Sequence, residues 1–114
     1  MSSGAFTDYG ENLVIDAFRG QGLTLPSQLR FAPLSAASES SFTEITGSGL
    51  ARAAVTRNLT NFSGTQGAGS TLASSGTSRT ISNNVLIDMG TATGSAGTVT
   101  HVGVYDAASG GNCL

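Results

Sequence analysis

The side chains in this sequence that are best suited to chemistry are those of His101, its only histidine, and Cys113, its only cysteine. An imidazole acts as a general base beside a nucleophile or a carboxylate, and a thiol becomes a nucleophile where a base or a positive charge lowers its pKa. No spacing in the sequence assembles either pair. We therefore expect His101 to be a packed or hydrogen-bonded structural residue, and Cys113 to be a small apolar residue on a terminal strand.

Sequence patterns that hold metals or phosphates are also missing. Asp106 follows a predicted strand without the neighbouring carboxylates that calcium requires, so we expect it to cap a turn. Asp88 stands alone among apolar residues and is expected to face solvent or to pair with an arginine. The glycine-rich segments 20–22 and 64–67 lack a lysine and the strand–loop–helix context of a phosphate loop. The sequence therefore predicts no catalytic residue, no metal and no cofactor, and hence a protein that is not an enzyme.

The element that must position His101 and Cys113 is a β-hairpin predicted for residues 97–114. Alternate residues of its first strand share one face. These are Val99, His101, Gly103 and Tyr105. Residues 107–111 form the turn, where paired glycines adopt positive φ at little steric cost. The returning residues 112–114 make only a short arm, which leaves backbone donors and acceptors unpaired along an edge, and we expect another chain to complete that edge.

Residues 7–19 predict the helix of this chain. Thr7 is a suitable N-cap, acidic residues occupy the first turn, and Gly20 fits the position just after the helix. Its apolar stripe consists of Tyr9, Leu13 and Ala17, flanked by Val14 and Phe18. Because these residues recur with the helical period, we expect an amphipathic helix that packs across a sheet or against a neighbouring subunit.

The rest of the chain predicts short strands separated by polar or glycine-rich loops. The candidate strands are residues 29–32, 42–46, 50–57, 79–82 and 85–89. The last of these places Val85, Ile87 and Met89 on one buried face. Pro33 is expected to mark a sheet edge or a strand end, because proline cannot donate to a ladder. These segments indicate a mainly β fold, an antiparallel, jelly-roll-like β-sandwich over residues 29–114 with the helix 7–19, in a single domain 1–114.

Composition favours protein partners over nucleic acid or membrane. Charged residues make up 11% of the chain and the net charge is −2, so no basic stripe exists to neutralise phosphates. No apolar run approaches the roughly 20 residues of a membrane span. Low net charge favours packing among copies. The candidate subunit-interface residues are Arg52, Arg57, Asn112, Cys113 and Leu114. Arginine suits bidentate contacts across an interface, although Arg52 and Arg57 fit ordinary solvated strand positions equally well.

Three segments that occur in one order carry a family resemblance. They are residues 16–20 (Asp-Ala-Phe-Arg-Gly), residues 49–56 (Gly-Leu-Ala-Arg-Ala-Ala-Val-Thr), and residues 97–107 (Gly-Thr-Val-Thr-His-Val-Gly-Val-Tyr-Asp-Ala) with Gly-Gly-Asn at 110–112. This arrangement resembles a family of small tailed-bacteriophage virion proteins, described as tail-fibre, decoration or minor structural proteins. The resemblance implies a β-rich, oligomeric virion component present in many copies and without enzymatic activity. Similar proteins commonly continue into further strands after the Gly-Gly-Asn turn, so we expect either a truncated form or a neighbouring subunit that fills the missing position.

We therefore expect a phage virion structural protein that forms homotrimers on the outside of the particle. The favoured role is capsid decoration, in which many weak contacts with the major capsid protein stabilise the assembled shell. A tail-fibre or baseplate component that contacts the host is the alternative within this class. A carbohydrate-binding β-sandwich module is the alternative from another class. Such modules use exposed aromatic platforms or a metal, and this chain has no tryptophan and only Tyr9 and Tyr105 as tyrosines.

Overall fold

The sheet of this protein is built around one long strand, as a computed structural model shows for residues 5–114. The elements, in chain order, are α1 (Asp8–Phe18), β1 (Gln28–Ala37), β2 (Phe42–Glu44), β3 (Ala53–Thr56), β4 (Phe62–Ser63), β5 (Ser82–Asn83) and β6 (His101–Tyr105). Strands β1, β2, β3 and β6 form an antiparallel sheet, and β4 and β5 form a separate antiparallel pair. The predicted mainly β, antiparallel fold with a helix near its N-terminus is confirmed. The jelly-roll-like sandwich stays a prediction.

Strand β1 has partners on both of its edges. Along one edge, β6 pairs with residues 30–34. The opposite edge is shared, because β3 pairs with residues 28–31 and β2 pairs with residues 34–37. The central strand β1 therefore obtains its partner on this edge from β6, which lies about 70 residues later in the sequence.

Pro33 lies inside β1, so the prediction that it marks a sheet edge or a strand end is wrong. Its carbonyl oxygen accepts a hydrogen bond from the Ile45 N–H at 2.9 Å, which turns the Pro33 backbone toward the edge shared by β3 and β2. The partner on that edge changes at this residue, so no ladder acceptor depends on the N–H that proline lacks. The expectation failed because the change of partner strand at this residue cannot be seen in the sequence.

One face of the sheet carries the main core cluster. Ala32 and Leu34 of β1 lie next to each other on this face, and Leu34 is only 2% exposed. Tyr105 of β6 and Cys113 complete the cluster. The core is thus formed where the longest strand meets the C-terminal hairpin, because both contribute alternate inward-facing residues.

The other face of the sheet contacts the β4–β5 pair through one aromatic residue. Ala53 and Val55 of β3 are buried on this face, as the predicted alternation requires. The Phe31 ring of β1 stacks on the Phe62 ring of β4, with 6.4 Å between ring centroids. This aromatic contact joins the small strand pair to the sheet.

Residues 85–89 do not form the predicted buried strand. Their apolar residues are only half-buried, and Leu86 between them is 86% exposed. The Ala51 N–H donates to the Met89 carbonyl at 2.9 Å, but no continuous ladder follows. The period-2 alternation of burial is present, yet alternation alone does not supply a hydrogen-bonding partner.

Two glycines interrupt the pairing at this point. Gly49 and Gly90 have φ values of 82° and 98°, and a β-carbon on Gly90 would contact the Gly49 carbonyl oxygen. The backbones therefore touch at a single bridge between Leu50 and Gly90 instead of running side by side. Of the predicted strand 50–57, only residues 53–56 form a strand, which is β3. Of the predicted strand 79–82, only Ser82 is in a strand, the two-residue β5.

The helix forms as predicted, and its ends are set by residues identified in the sequence. The Thr7 Oγ1 accepts a hydrogen bond from the Gly10 N–H at 3.0 Å, so Thr7 is the N-cap. Gly20 has a φ of 96°, and the N–H groups of Gly20 and Gln21 donate back to the last turn at 3.2 and 2.9 Å. This pair of bonds is a Schellman motif. The helix is therefore specified locally at both ends.

Candidate functional site

The C-terminal hairpin forms as predicted, with residues 112–114 returning beside β6. Tyr105 and Cys113 lie opposite each other in an antiparallel bridge. The Leu114 N–H donates to the Val104 carbonyl at 2.7 Å. The hairpin therefore brings the Cys113 thiol into the core beside Tyr105, on the same face of the sheet as Leu34.

Asp106 caps the turn of this hairpin, as predicted from its position. Its carboxylate accepts hydrogen bonds from the Asn112 backbone N–H at 2.7 Å and from the Asn112 side-chain amide at 3.1 Å. Gly111 has a φ of 69°, and a β-carbon there would contact the Asp106 carboxylate. The turn thus uses glycine for its conformation and aspartate for its hydrogen bonds.

Arg52 holds the hairpin turn against β2. Its Nε and Nη2 donate to the two Glu44 carboxylate oxygens at 2.8 and 2.7 Å, which is a bidentate ion pair. Its Nη1 donates to the carbonyl oxygens of Ala107 at 2.7 Å and Gly110 at 2.9 Å. The guanidinium carbon lies 3.8 Å from the centre of the Tyr105 ring, in cation–π geometry. We call Arg52, Glu44, Tyr105 and these two carbonyl groups the Arg52 cluster.

The guanidinium at the centre of the Arg52 cluster is largely closed to solvent. The Arg52 side chain is 7% exposed, and its ion pair with Glu44 raises the pKa of the guanidinium. Arg57 is exposed instead, and its side chain donates to the carbonyl oxygens of Pro26 and Leu25 at 3.0 and 3.2 Å. Both arginines thus bind carbonyl groups of their own chain. Their contribution to subunit contacts stays a prediction, as does that of Asn112, Cys113 and Leu114.

Tyr105 and Cys113 carry the titratable groups of the core cluster. Burial raises the pKa of the Tyr105 phenol and also that of the Cys113 thiol. A thiol that keeps its proton is a weak nucleophile, because the thiolate is the reactive form. Cys113 therefore acts as a buried apolar residue, as the sequence predicted.

These raised pKa values predict a loss of stability at alkaline pH. The native state holds both protons at a pH where the unfolded chain begins to release them, so the unfolded state gains in relative stability as pH rises. The free energy of unfolding should fall above about pH 9, the ordinary range of a thiol. Urea titrations between about pH 8 and pH 11 should show a decreasing midpoint, with a later onset in Cys113→Ala. A midpoint constant over this range contradicts the prediction.

Thr7 is hydrogen-bonded to the outer edge of residues 112–114, the returning arm of the hairpin. Its hydroxyl donates to the Cys113 carbonyl at 2.6 Å, and its N–H donates to the Leu114 carbonyl at 3.2 Å. The outer edge of the returning arm is therefore paired within the same chain at these two carbonyls. The helix N-cap was recognised in the sequence, but its second role was not, because a separation of 106 positions between Thr7 and Cys113 leaves no local signal.

Replacing Thr7 with valine should lower the free energy of unfolding by about 1–3 kcal/mol. The substitution removes the helix cap and leaves the Cys113 carbonyl without its donor, while the side chain keeps its size. Urea unfolding followed by circular dichroism measures the change. Thr7→Ser is the matched control, since it keeps the hydroxyl and should recover most of the loss. Equal stability of the valine and serine variants would show that the hydroxyl contributes little.

An unpaired stretch of the sheet edge lies at Val102, in the middle of β6 and beyond the end of the short returning arm. Val102 is opposite Pro33, whose backbone faces away from β6, so the Val102 N–H and carbonyl also point outward. The described part of the chain offers them no backbone partner. A groove of about 790 Å³ runs along this edge, with Phe6, Phe42 and Val99 among its apolar lining. Backbone and side chains thus leave one stretch of β6 able to accept another segment.

The remaining candidate residues have structural surroundings. His101 is exposed, and its Nδ1 lies 2.9 Å from the Thr100 hydroxyl, so it is hydrogen-bonded but not packed. Asp88 is exposed and accepts a hydrogen bond from the Gly90 N–H at 2.9 Å. Within residues 5–114, no three histidine, cysteine or acidic side chains come together as metal ligands would. The described helix is also too short to cross a membrane.

Fold and site together define a β-rich structural protein, in which the strongest polar interactions hold the C-terminal hairpin to the sheet. Comparison with known families gives the same class. Residues 5–114 match the family described as Podophage GP4 fiber I protein gp80, and the chain belongs to this family. It is therefore a phage virion protein of the particle exterior, and the resemblance read from its sequence is confirmed. No curated protein and no solved structure matches the chain.

Proposed function

We propose that this chain is a non-enzymatic building block of a phage fibre, assembled as homotrimers on the virion exterior. The observation that carries the proposal is the Arg52 cluster, in which the guanidinium that holds the hairpin turn binds groups of its own chain. Such a cluster stiffens a domain and engages four of the five guanidinium N–H donors within the chain, which favours a structural role over substrate binding. The family match supports the fibre assignment, since its description names a fiber protein.

Capsid decoration is the second candidate, as favoured by the sequence. The exposed β6 edge at Val102 supports it as well as it supports a fibre, because an unpaired strand edge can join either kind of neighbour. In both roles the partners are copies of this chain and other virion proteins. The fibre role is preferred on the family description.

Copy number separates these two roles. Quantitative mass spectrometry of purified particles should find a number of copies that matches the tail if the chain is a tail-fibre component. Hundreds of copies would instead support decoration of the head. Absence of the protein from purified particles would overturn the proposal altogether.

The carbohydrate-binding alternative has less support from the site. Tyr105 is buried beneath the Arg52 guanidinium, so it cannot act as an aromatic platform. Tyr9 is 40% exposed, which leaves one tyrosine for such a role. A glycan array probed with the isolated protein tests this alternative, and we expect no specific binding.

A further inference from the structure

Two extended segments of this chain have backbone groups without partners. The first is β6 at Val102, whose N–H and carbonyl point away from β1. The second is residues 85–89, where burial alternates as in a strand but no ladder forms. Within residues 5–114, no backbone hydrogen bond joins these two segments or satisfies the N–H and carbonyl groups of residues 86–88. Unpaired backbone along an extended segment is a site at which another strand can add.

The free edge of residues 85–89 is the one on which Leu86 and Asp88 present their backbone groups. The Met89 carbonyl accepts a hydrogen bond from the Ala51 N–H at 2.9 Å, so the Met89 backbone faces the body of the chain. Because the backbone groups of alternate residues point to opposite edges of an extended segment, those of Leu86 and Asp88 point outward. The Leu86 side chain is also 86% exposed. This segment therefore offers a neighbour both a backbone edge and an apolar side chain.

The two segments match each other in length. The open stretch of the β6 edge is residues 99–103, because the returning arm pairs with Val104 and Tyr105. An antiparallel pairing that sets Leu86 opposite Val102 fills this stretch with residues 85–89. Leu86 and Val102 then form a hydrogen-bonded pair, and their side chains lie on one face of the enlarged sheet. Val102 is 53% exposed in the single chain, so both side chains gain an apolar neighbour.

The side chains of the two segments match as well. The same register sets Met89 opposite Val99 and Asp88 opposite Thr100, which gives one apolar pair and one polar pair. The groove of about 790 Å³ beside β6 opens on the core face of the sheet, because residues of the core cluster contribute to its lining. Ile87, which alternates with Leu86 and Asp88, faces this groove in the paired state. The added strand therefore finds complementary surroundings on both of its faces.

We propose that residues 85–89 of one copy, the donor segment, add as a strand to the β6 edge of the next copy. The inference rests on the proposed homotrimer and names the two surfaces that form it. Each chain donates one strand and accepts one, which is a heterologous contact that closes into a ring when the rotation between neighbours allows it. The occupant of the β6 edge is another copy because both halves of the contact lie on this chain, yet they do not pair within it.

Proline substitutions test the pairing, because each removes a backbone donor that only this contact uses. Val102→Pro and Leu86→Pro should each raise, by at least tenfold, the concentration at which half of the wild-type trimers dissociate in analytical ultracentrifugation. Circular dichroism of the dissociated chains should match the wild type, since neither N–H has a backbone partner in the described part of the chain. Leu23→Pro is the matched control. It changes a residue that is 50% exposed, has no partner for its backbone N–H among the described residues, and lies outside both segments, so the trimer should persist.

Mixing the two proline variants tests the direction of the contact. The Val102→Pro chain keeps an intact donor segment, and the Leu86→Pro chain keeps an intact β6 edge. Native mass spectrometry of an equimolar mixture should therefore show heterodimers at a concentration where neither variant associates alone. A contact in which β6 pairs with β6 of another copy gives no such rescue and contradicts the inference.

Disulfide trapping tests the register. Facing residues of a hydrogen-bonded antiparallel pair have Cα atoms about 5.5 Å apart, which is within the range that a disulfide spans. Oxidation of a mixture of the Leu86→Cys and Val102→Cys chains should therefore join unlike chains in preference to like ones. Equal amounts of like and unlike dimers would contradict the pairing of these two residues.

The remaining outcomes separate this inference from the proposed function. A trimer that dissociates equally in the wild type and in both proline variants places the interface elsewhere, and the homotrimer then stands without the strand pairing. A wild-type chain that stays monomeric at millimolar concentration overturns the pairing, whereas several copies in purified particles would still support the structural role. Absence of the protein from particles removes that role, and the proline variants decide the pairing independently.

Discussion

Replacing Arg52 with alanine is expected to lower the free energy of unfolding by about 3–5 kcal/mol, the range for breaking one partner of a buried ion pair. The substitution leaves Glu44 without its bidentate partner and two carbonyl oxygens of the hairpin turn without their donor. It also removes the guanidinium that covers the Tyr105 ring. The loss should appear in urea unfolding monitored by both circular dichroism and tyrosine fluorescence.

Three variants distinguish the loss of the specific contacts of Arg52 from the loss of one positive charge. Arg57→Ala removes an exposed arginine that also binds carbonyl groups, and it should cost less than about 1 kcal/mol. Arg52→Lys keeps the charge but not the planar fork, so it should recover only a small part of the stability. The double variant with Glu44→Ala should be less than additive, because it leaves no unpaired carboxylate. A change below about 1 kcal/mol in Arg52→Ala would refute a structural role for this cluster.

Replacing Leu34 with alanine is expected to cost about 2–5 kcal/mol, the range for opening a cavity in a well-packed core. Leu34 is buried at the centre of β1, and the strand has partners on both edges there. A β-carbon on Gly103 would lie 3.0 Å from the Leu34 side chain, so the packing around it is tight. The large effect is expected because the neighbouring strands hold the site open after the side chain is removed.

Leu86→Ala provides the matched control, because the same atoms are removed from a side chain exposed to solvent. Its free energy of unfolding should stay within about 0.5 kcal/mol of the wild type. Leu34→Met should cost less than about 1.5 kcal/mol, since volume is largely conserved. Denaturant titrations at one temperature measure all three variants, and similar midpoints for Leu34→Ala and Leu86→Ala would show that the cluster around β1 is not the stabilising core.

The features that could be predicted from the sequence are those specified by neighbouring residues. The helix followed from Thr7 and Gly20, which satisfy the backbone at its two ends, and the turn before Asn112 followed from paired glycines and Asp106. These signals involve residues only a few positions apart, so they can be recognised in a single sequence. The class of protein was likewise available from three short segments, and the family match confirms it.

The features that could not be predicted depend on distant partners. Pro33 was misplaced because a sequence does not show that β1 changes its partner on one edge. The pairing of Arg52 with Glu44, and of Thr7 with Cys113, joins segments whose proximity exists only in the folded sheet. For residues 85–89 the sequence predicted a strand that is not formed. Burial alternates along this segment as in a strand, but no neighbouring strand forms a hydrogen-bonded ladder with it.

The position of β6 also sets an order of events during synthesis. Because residues 30–34 of β1 pair with β6 along one edge, their hydrogen bonds cannot be completed until the ribosome has translated residues 101–105. Until then, the central residues 30–34 of this strand have no partner on that side. Long-range pairing of this kind slows folding and exposes the unfinished sheet to wrong neighbours. Expression yield should therefore depend on chaperone supply and on the rate at which residues 101–105 emerge from the ribosome.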